Sequence, residues 1–205
     1  MPNWCSNKLL ITGPDIEEFT KTLNEKGEFC FSQTLPVPAE LSDIITGSIT
    51  IDGKHCTAWR CIDGKDIPVT QEEMAAYKLT YGHSDWYEWS IANWGTKWDC
   101  DLTTVEVDES AGEESYISCH FDTAWGPPIE WAKNVSKKYP SLAFTIYFSE
   151  GGMGFYGYTR IQNGTTFLND TRKGFYKEVI DDTAEDNLSD ECREFLDKHN
   201  LHTGG

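Results

Sequence analysis

The chain has 205 residues, 39% hydrophobic and 13% aromatic, with a formal net charge of −17 from 34 acidic and 17 basic side chains. That supplies the core of one large domain and argues against wholesale disorder. The charge disfavours direct contact with nucleic acid phosphates or an anionic membrane, and no apolar run approaches the ~20 residues of a membrane span.

Trp4 to Thr12 reads as a strand, stopped by Gly13-Pro14. Asp15 is a plausible N-cap, and Ile16, Phe19 and Leu23 share one helical face, so a short helix is expected from Asp15 to Glu25. Phe29 to Thr34 alternates and reads as a second strand. Ala39 to Glu88 reads as an irregular insertion with a hairpin turn at Asp52-Gly53. It also holds a helix from Thr70 to Tyr81, opened by a Thr70/Glu73 capping box. Cys100 to Asp108 and Ser115 to Thr123 read as antiparallel strands around a turn at Ser110 to Glu114. Pro127-Pro128 opens a helix with Ile129, Ala132, Val135 and Tyr139 at helical spacing. Leu142 to Ser149 and Gly154 to Ile161 are strands flanking Gly151-Gly152, and the remainder carries turns and one helix, Ser189 to His199.

The order is that of a split β-α-β arrangement. The expected fold is α+β: a ferredoxin-like antiparallel sheet with two helices on one face, over residues 1–161, with the insertion at about 39–88. Residues 162–205 form an acidic C-terminal extension. A sheet covered on one face leaves the other open to a second subunit, so a homodimer is a candidate.

The seven cysteines are odd in number, follow no signal peptide, and fit buried thiols in a reduced cytoplasm. Cys56-x4-Cys61 lacks a second ligand pair, so no metal is expected, and no phosphate-loop or dinucleotide fingerprint implies a cofactor.

Several aromatic blocks stand apart: Pro2-Asn3-Trp4-Cys5-Ser6-Asn7, Asn93-Trp94-Gly95-Thr96-Lys97-Trp98-Asp99, Phe121-x-Thr123-x-Trp125-x-Pro127-Pro128, and Tyr147-x-x-Glu150-x-Gly152. Together with Tyr139-Pro140-x-Leu142-x-Phe144, they resemble the YubB-like family of phages and conjugative plasmids over about Pro2 to Tyr158. The resemblance implies a ferredoxin-like domain and a mobile-element habitat. It carries over no catalytic residue.

The blocks also nominate sites. Trp94 and Trp98 are placed to sandwich a flat, nucleotide-like ring, with Lys97 and Asp99 fixing its polar groups and Asn3, Trp4, Asn93 and Trp125 completing the site. The competing reading makes these Trp side chains core plugs. The acids Asp101, Glu106, Asp108, Glu109, Glu113 and Glu114 could instead meet a basic host protein, as a mimic of DNA phosphates would. An enzyme would draw on the amine of Pro2 after loss of Met1, or on an acid–base group of His120, Asp122 and Glu150. The favoured expectation is a non-enzymatic accessory protein in the host cytoplasm that binds a host protein, or sequesters a small ligand, to counter host defence.

Overall fold

A computed structural model describes residues 2–108, 115–176 and 188–203. The chain opens with β1 (Trp4–Thr12), α1 (Ile16–Thr20) and β2 (Glu28–Phe29), followed by a single 3-10 turn, Phe31–Gln33. Next come β3 (Ile44–Ile51), β4 (Lys54–Ile62), β5 (Lys65–Pro68), α2 (Gln71–Tyr81) and α3 (Trp86–Trp94). β6 (Thr103–Thr104), β7 (Glu106–Asp108), β8 (Tyr116–Ala124), α4 (Ile129–Ser136), β9 (Ala143–Glu150), β10 (Phe155–Gln162), β11 (Thr165–Lys173) and α5 (Asp190–His199) complete the chain. Two compact units result, one from residues 1–35 and 94–205, the other from residues 36–93.

The first unit is built on a six-stranded antiparallel sheet in the order β11-β10-β9-β1-β8-β7. Its β9-β1-β8-β7 part, with α1 after β1 and α4 between β8 and β9, is the split β-α-β arrangement of a ferredoxin-like domain. The pleat assigns alternate residues to opposite faces. Leu9, Ile11, Phe144, Ile146 and Phe148 share one face and are buried. That face meets α1 and α4: Phe144 lies 5.7 Å from Phe19 and 5.9 Å from Trp131, centre to centre.

Beneath it is an aromatic core. Trp131 touches Phe29 and Phe31, each at 5.3 Å, and Phe31 meets Phe121 at 5.5 Å. Buried Trp needs an acceptor for its N–H. Trp131 donates to Thr34 Oγ1 at 3.0 Å, and Trp94 donates to the Leu35 carbonyl at 2.9 Å. Asn7, fully buried, donates to the Cys5 carbonyl and to Thr123 Oγ1, both at 2.8 Å. Asn7 and Thr123, polar residues of two of the aromatic blocks, thus satisfy each other inside the sheet.

Several sequence expectations are corrected. Phe29 to Thr34 is not a strand. Only Glu28 and Phe29 pair, with β6, and the chain then turns so that Phe29 and Phe31 both point into the core. The helix expected from Asp15 to Glu25 spans only Ile16–Thr20, and the strand expected over Cys100 to Asp108 is broken into β6 and β7. The turns expected at the start of the C-terminal extension are instead a strand, β11, which extends the main sheet beside β10.

α5 packs on the sheet face opposite α1 and α4. Its Phe195 meets Tyr156 at 5.2 Å, and Cys192 and Leu196 join Tyr156 and Phe175 in a second small core. Two helices therefore lie on one face, as expected, but the opposite face is not left wholly open. The surface that suggested a homodimer is reduced to the part near β1, β8 and β7, where His120 and Asp122 are exposed.

The other unit is more regular than its sequence suggests. β3, β4 and β5 form a three-stranded antiparallel sheet, with the expected turn at Asp52-Gly53, both at positive φ. The expected capping box opens α2: Thr70 Oγ1 accepts from the Glu73 N–H, and Glu73 accepts from the Thr70 N–H. Arg60 ties this unit together, donating to Asp43, the Glu40 carbonyl and Tyr77.

Candidate functional site

Three tryptophans from distant blocks converge at one end of the main sheet. Gly95, at φ +83°, turns the chain after α3 so that Thr96 clamps both backbone groups of Ala124, each at 3.1 Å. Asp99 accepts the N–H groups of Phe31 at 2.6 Å and Ser32 at 3.0 Å, pinning the other side of the loop. Lys97 and Trp98 are held between these anchors. Trp125 follows Ala124 directly, in the left-handed region at φ +67°, and its N–H donates to the Asn3 carbonyl at 2.9 Å. The Trp98 ring lies 6.0 Å from Trp4 and 6.4 Å from Trp125, nearly parallel to the latter at 23°. Lys97 Nζ sits 4.3 Å from the centre of the Trp98 ring and 5.9 Å from that of Trp125. Trp98 is 37% exposed and Trp125 41%. A bulky residue at positive φ costs on the order of 1–3 kcal/mol, so this exposed Trp is held in place against strain.

Among the expected ligand residues, Trp4, Trp98, Trp125 and Lys97 come together, with Asn3 supporting them through its backbone. Trp94 does not join them. It is buried against Phe31 at 5.8 Å, so the sandwich of Trp94 with Trp98 does not form. Asn93 donates to the Trp89 carbonyl one turn back in its own helix, and Asp99 is a backbone cap. Beside the stack is a cavity of about 360 Å³ lined by Trp4, Asp99, Asp101, Thr103, Phe121 and Asp122. Among the expected partner-binding acids, Asp101 therefore adjoins the stack, Glu106 is exposed on β7, and Asp108 is half-buried. Glu109, Glu113 and Glu114 lie outside the described residues, as do the Ser110–Glu114 turn and Met1.

The expected acid–base group is not assembled. His120 and Asp122 share the outer sheet face, whereas Glu150 is fully buried at the edge of the helix-covered face. Glu150 accepts the N–H groups of Gly152 at 2.8 Å and Met153 at 2.7 Å, so its carboxylate holds the β9–β10 turn. Asp122 pairs with His202 Nε2 at 2.9 Å, a partner 80 positions away. Burial, helped by Lys8, lowers the pKa of His120. Pro2 is half-buried at the entry to β1. Three buried thiols are not activated nucleophiles: burial pushes Cys5 and Cys100 well above the usual range and Cys119 up to about 12. Among the described residues no cluster of His, Cys, Asp and Glu is arranged to hold a metal, and no helix is long and apolar enough to cross a membrane.

A second concavity lies between α5 and the outer face of the sheet, with a volume of about 590 Å³. Arg160, Arg172, Lys198 and His199 are among its lining residues, and sequence reasoning singled out none of them as a site.

Fold and core define an α+β protein with a ferredoxin-like domain. Residues 94–187 match the family model of the ferredoxin-like domain in Api92-like protein, a stretch that contains β6 to β11 and α4. The chain is also similar to a solved structure, a crystal structure of a protein api92 from Yersinia pseudotuberculosis. The two share 12% identity over 84% of this chain and 98% of that one, with a TM-score of 0.45. No match was found among the curated proteins.

Proposed function

We propose that this chain is a non-enzymatic accessory protein of a phage or conjugative plasmid. It acts in the host cytoplasm by docking on a basic surface of a host protein that serves in defence. The observation that carries this reading is the exposed stack of Trp98 and Trp125, backed by the half-buried Trp4. Exposed Trp clusters concentrate binding energy at interfaces, and a strained Trp125 at the surface has no evident role in the core. Lys97 already lies over two of the rings, which supports the face as a seat for cationic side chains. Asp101 and Asp122 beside the stack, Glu106 on β7, and the net charge of −17 favour an approaching basic partner. The resemblance to the YubB-like family supports the mobile-element habitat, and acids that mimic DNA phosphates fit the same kind of partner.

A nucleotide-like ring stacked on Trp98 is the second reading, favoured by the adjoining cavity. Catalysis by His120, Asp122 and Glu150 has less support because these groups face apart. The immobilised protein, exposed to host lysate, is expected to retain a basic protein at about 50 mM salt and to release most of it at about 300 mM. Retention that ignores salt, or no retained protein, contradicts the charge-led reading.

A further inference from the structure

We propose that the cleft between α5 and the outer face of β9, β10 and β11 binds a small planar organic anion, with Arg160 as its charge partner. The two arginines of this cleft differ in kind. Arg172 is committed: it donates twice to Asp170, at 3.0 and 2.7 Å, and also bonds Glu191. Arg160 is not. It makes no ion pair among the described residues, its guanidinium lies 5.5 Å from the Phe167 ring centre, and its Nε is buried with no hydrogen-bond partner. A buried donor left unpaired is costly, and a guanidinium without a carboxylate presents a planar fork suited to a carboxylate or phosphate. Lys198 stands at the rim of the same cleft, also without an ion pair among the described residues.

The rest of the lining is suited to a ring. His199 stacks on Tyr147 at 3.9 Å and 17°, and Tyr158 follows at 5.9 Å. Burial lowers the His199 pKa to about 4, so this surface is uncharged near neutral pH. A volume of about 590 Å³ suits a mononucleotide or an aromatic acid. Two carboxylates also line the cleft. Glu191 is tied to Arg172 and Glu194 is exposed, so Arg160 and, at the rim, Lys198 are the positive charges for an incoming anion.

The test is calorimetric titration of the full chain with AMP, naphthoate, adenosine and inorganic phosphate. AMP or naphthoate is expected to saturate with a Kd below about 1 mM, at least tenfold tighter than adenosine or phosphate. The stronger of the two tells whether phosphate or carboxylate is preferred. Arg160→Gln is expected to weaken that binding at least about tenfold, and Arg160→Lys less. Trp98→Ala is expected to leave it unchanged, which separates this cleft from the tryptophan surface. Should Arg160→Gln fail to fold, Lys198→Gln at the solvated rim is expected to weaken binding severalfold. Absence of saturation by both planar anions overturns the proposal. So does binding of adenosine or phosphate as tight as theirs, full binding by a folded Arg160→Gln variant, or, where that variant does not fold, full binding by Lys198→Gln.

Discussion

Removing a ring from the surface stack and removing one from the core should have different consequences, and the difference measures which tryptophans belong to the fold. Trp131 is fully buried, meets Phe29, Phe31 and Phe144, and donates its N–H to Thr34. Trp131→Ala leaves a large void, a change that costs about 3–5 kcal/mol. Trp98 touches Trp4 and Trp125 but is 37% exposed. An aromatic pair is worth about 0.5–1.5 kcal/mol beyond burial, and partial exposure reduces the burial term, so Trp98→Ala should cost about 1–2 kcal/mol. For a chain of this size each kcal/mol moves Tm by roughly 2–4 °C. Thermal unfolding followed by circular dichroism should therefore show Trp131→Ala melting about 10 °C lower and Trp98→Ala only a few degrees lower. Equal losses would make Trp98 a core residue and refute the separation of surface from interior.

The Gly157 position tests the added β10–β11 pair. A Cβ there would stand 1.9 Å from the Asp170 carbonyl oxygen, so Gly157→Ala should push β11 away, cost about 2–3 kcal/mol, and speed amide exchange along β11. Unchanged exchange would contradict the pairing. His199 tests the docking of α5 through pH. Its folded pKa of about 4 lies below the ordinary 6.5, so between those values the unfolded chain binds the extra proton. This contribution to stability is full above pH 6.5 and lost as pH falls toward 4. His199→Phe should flatten denaturation midpoints across that range, apart from a residual slope from His120, whose pKa is lowered too. A variant with the slope of the parent would show that His199 is not held neutral.

Residue patterns carried the central sheet. Leu9 and Ile11 lie two apart on one face of the first strand, and Gly13-Pro14, Pro127-Pro128 and Gly151-Gly152 punctuate the elements where the chain turns. Phe29 to Thr34 misled because a Phe-Cys-Phe alternation fits a strand equally well. The turn actually present depends on Asp99, 68 positions away, accepting the Phe31 N–H. β11 was missed because most of its residues are exposed, so no apolar period marks it. The cleft beside Arg160 was hidden for the same reason: it forms only when β11 and α5 close on a face that sequence left bare. The aromatic blocks were legible as a convergent group, but not which member faces out. Trp94 and Trp98 look alike in sequence, and the Leu35 carbonyl, far upstream, draws the first into the core. Glu150 looked like an acid for chemistry, yet its acceptors' partners are the next backbone amides along its own turn.

The tryptophan stack as a docking surface is the central proposal for this protein. The direct measurement is retention of the host protein by the parent chain, by a Trp98→Ala/Trp125→Ala variant, and by Leu79→Ala, a control at a 90% exposed position that is no member of the stack. The account predicts that the double variant loses at least about tenfold in affinity while the control binds as the parent does. Equal binding by all three would contradict it.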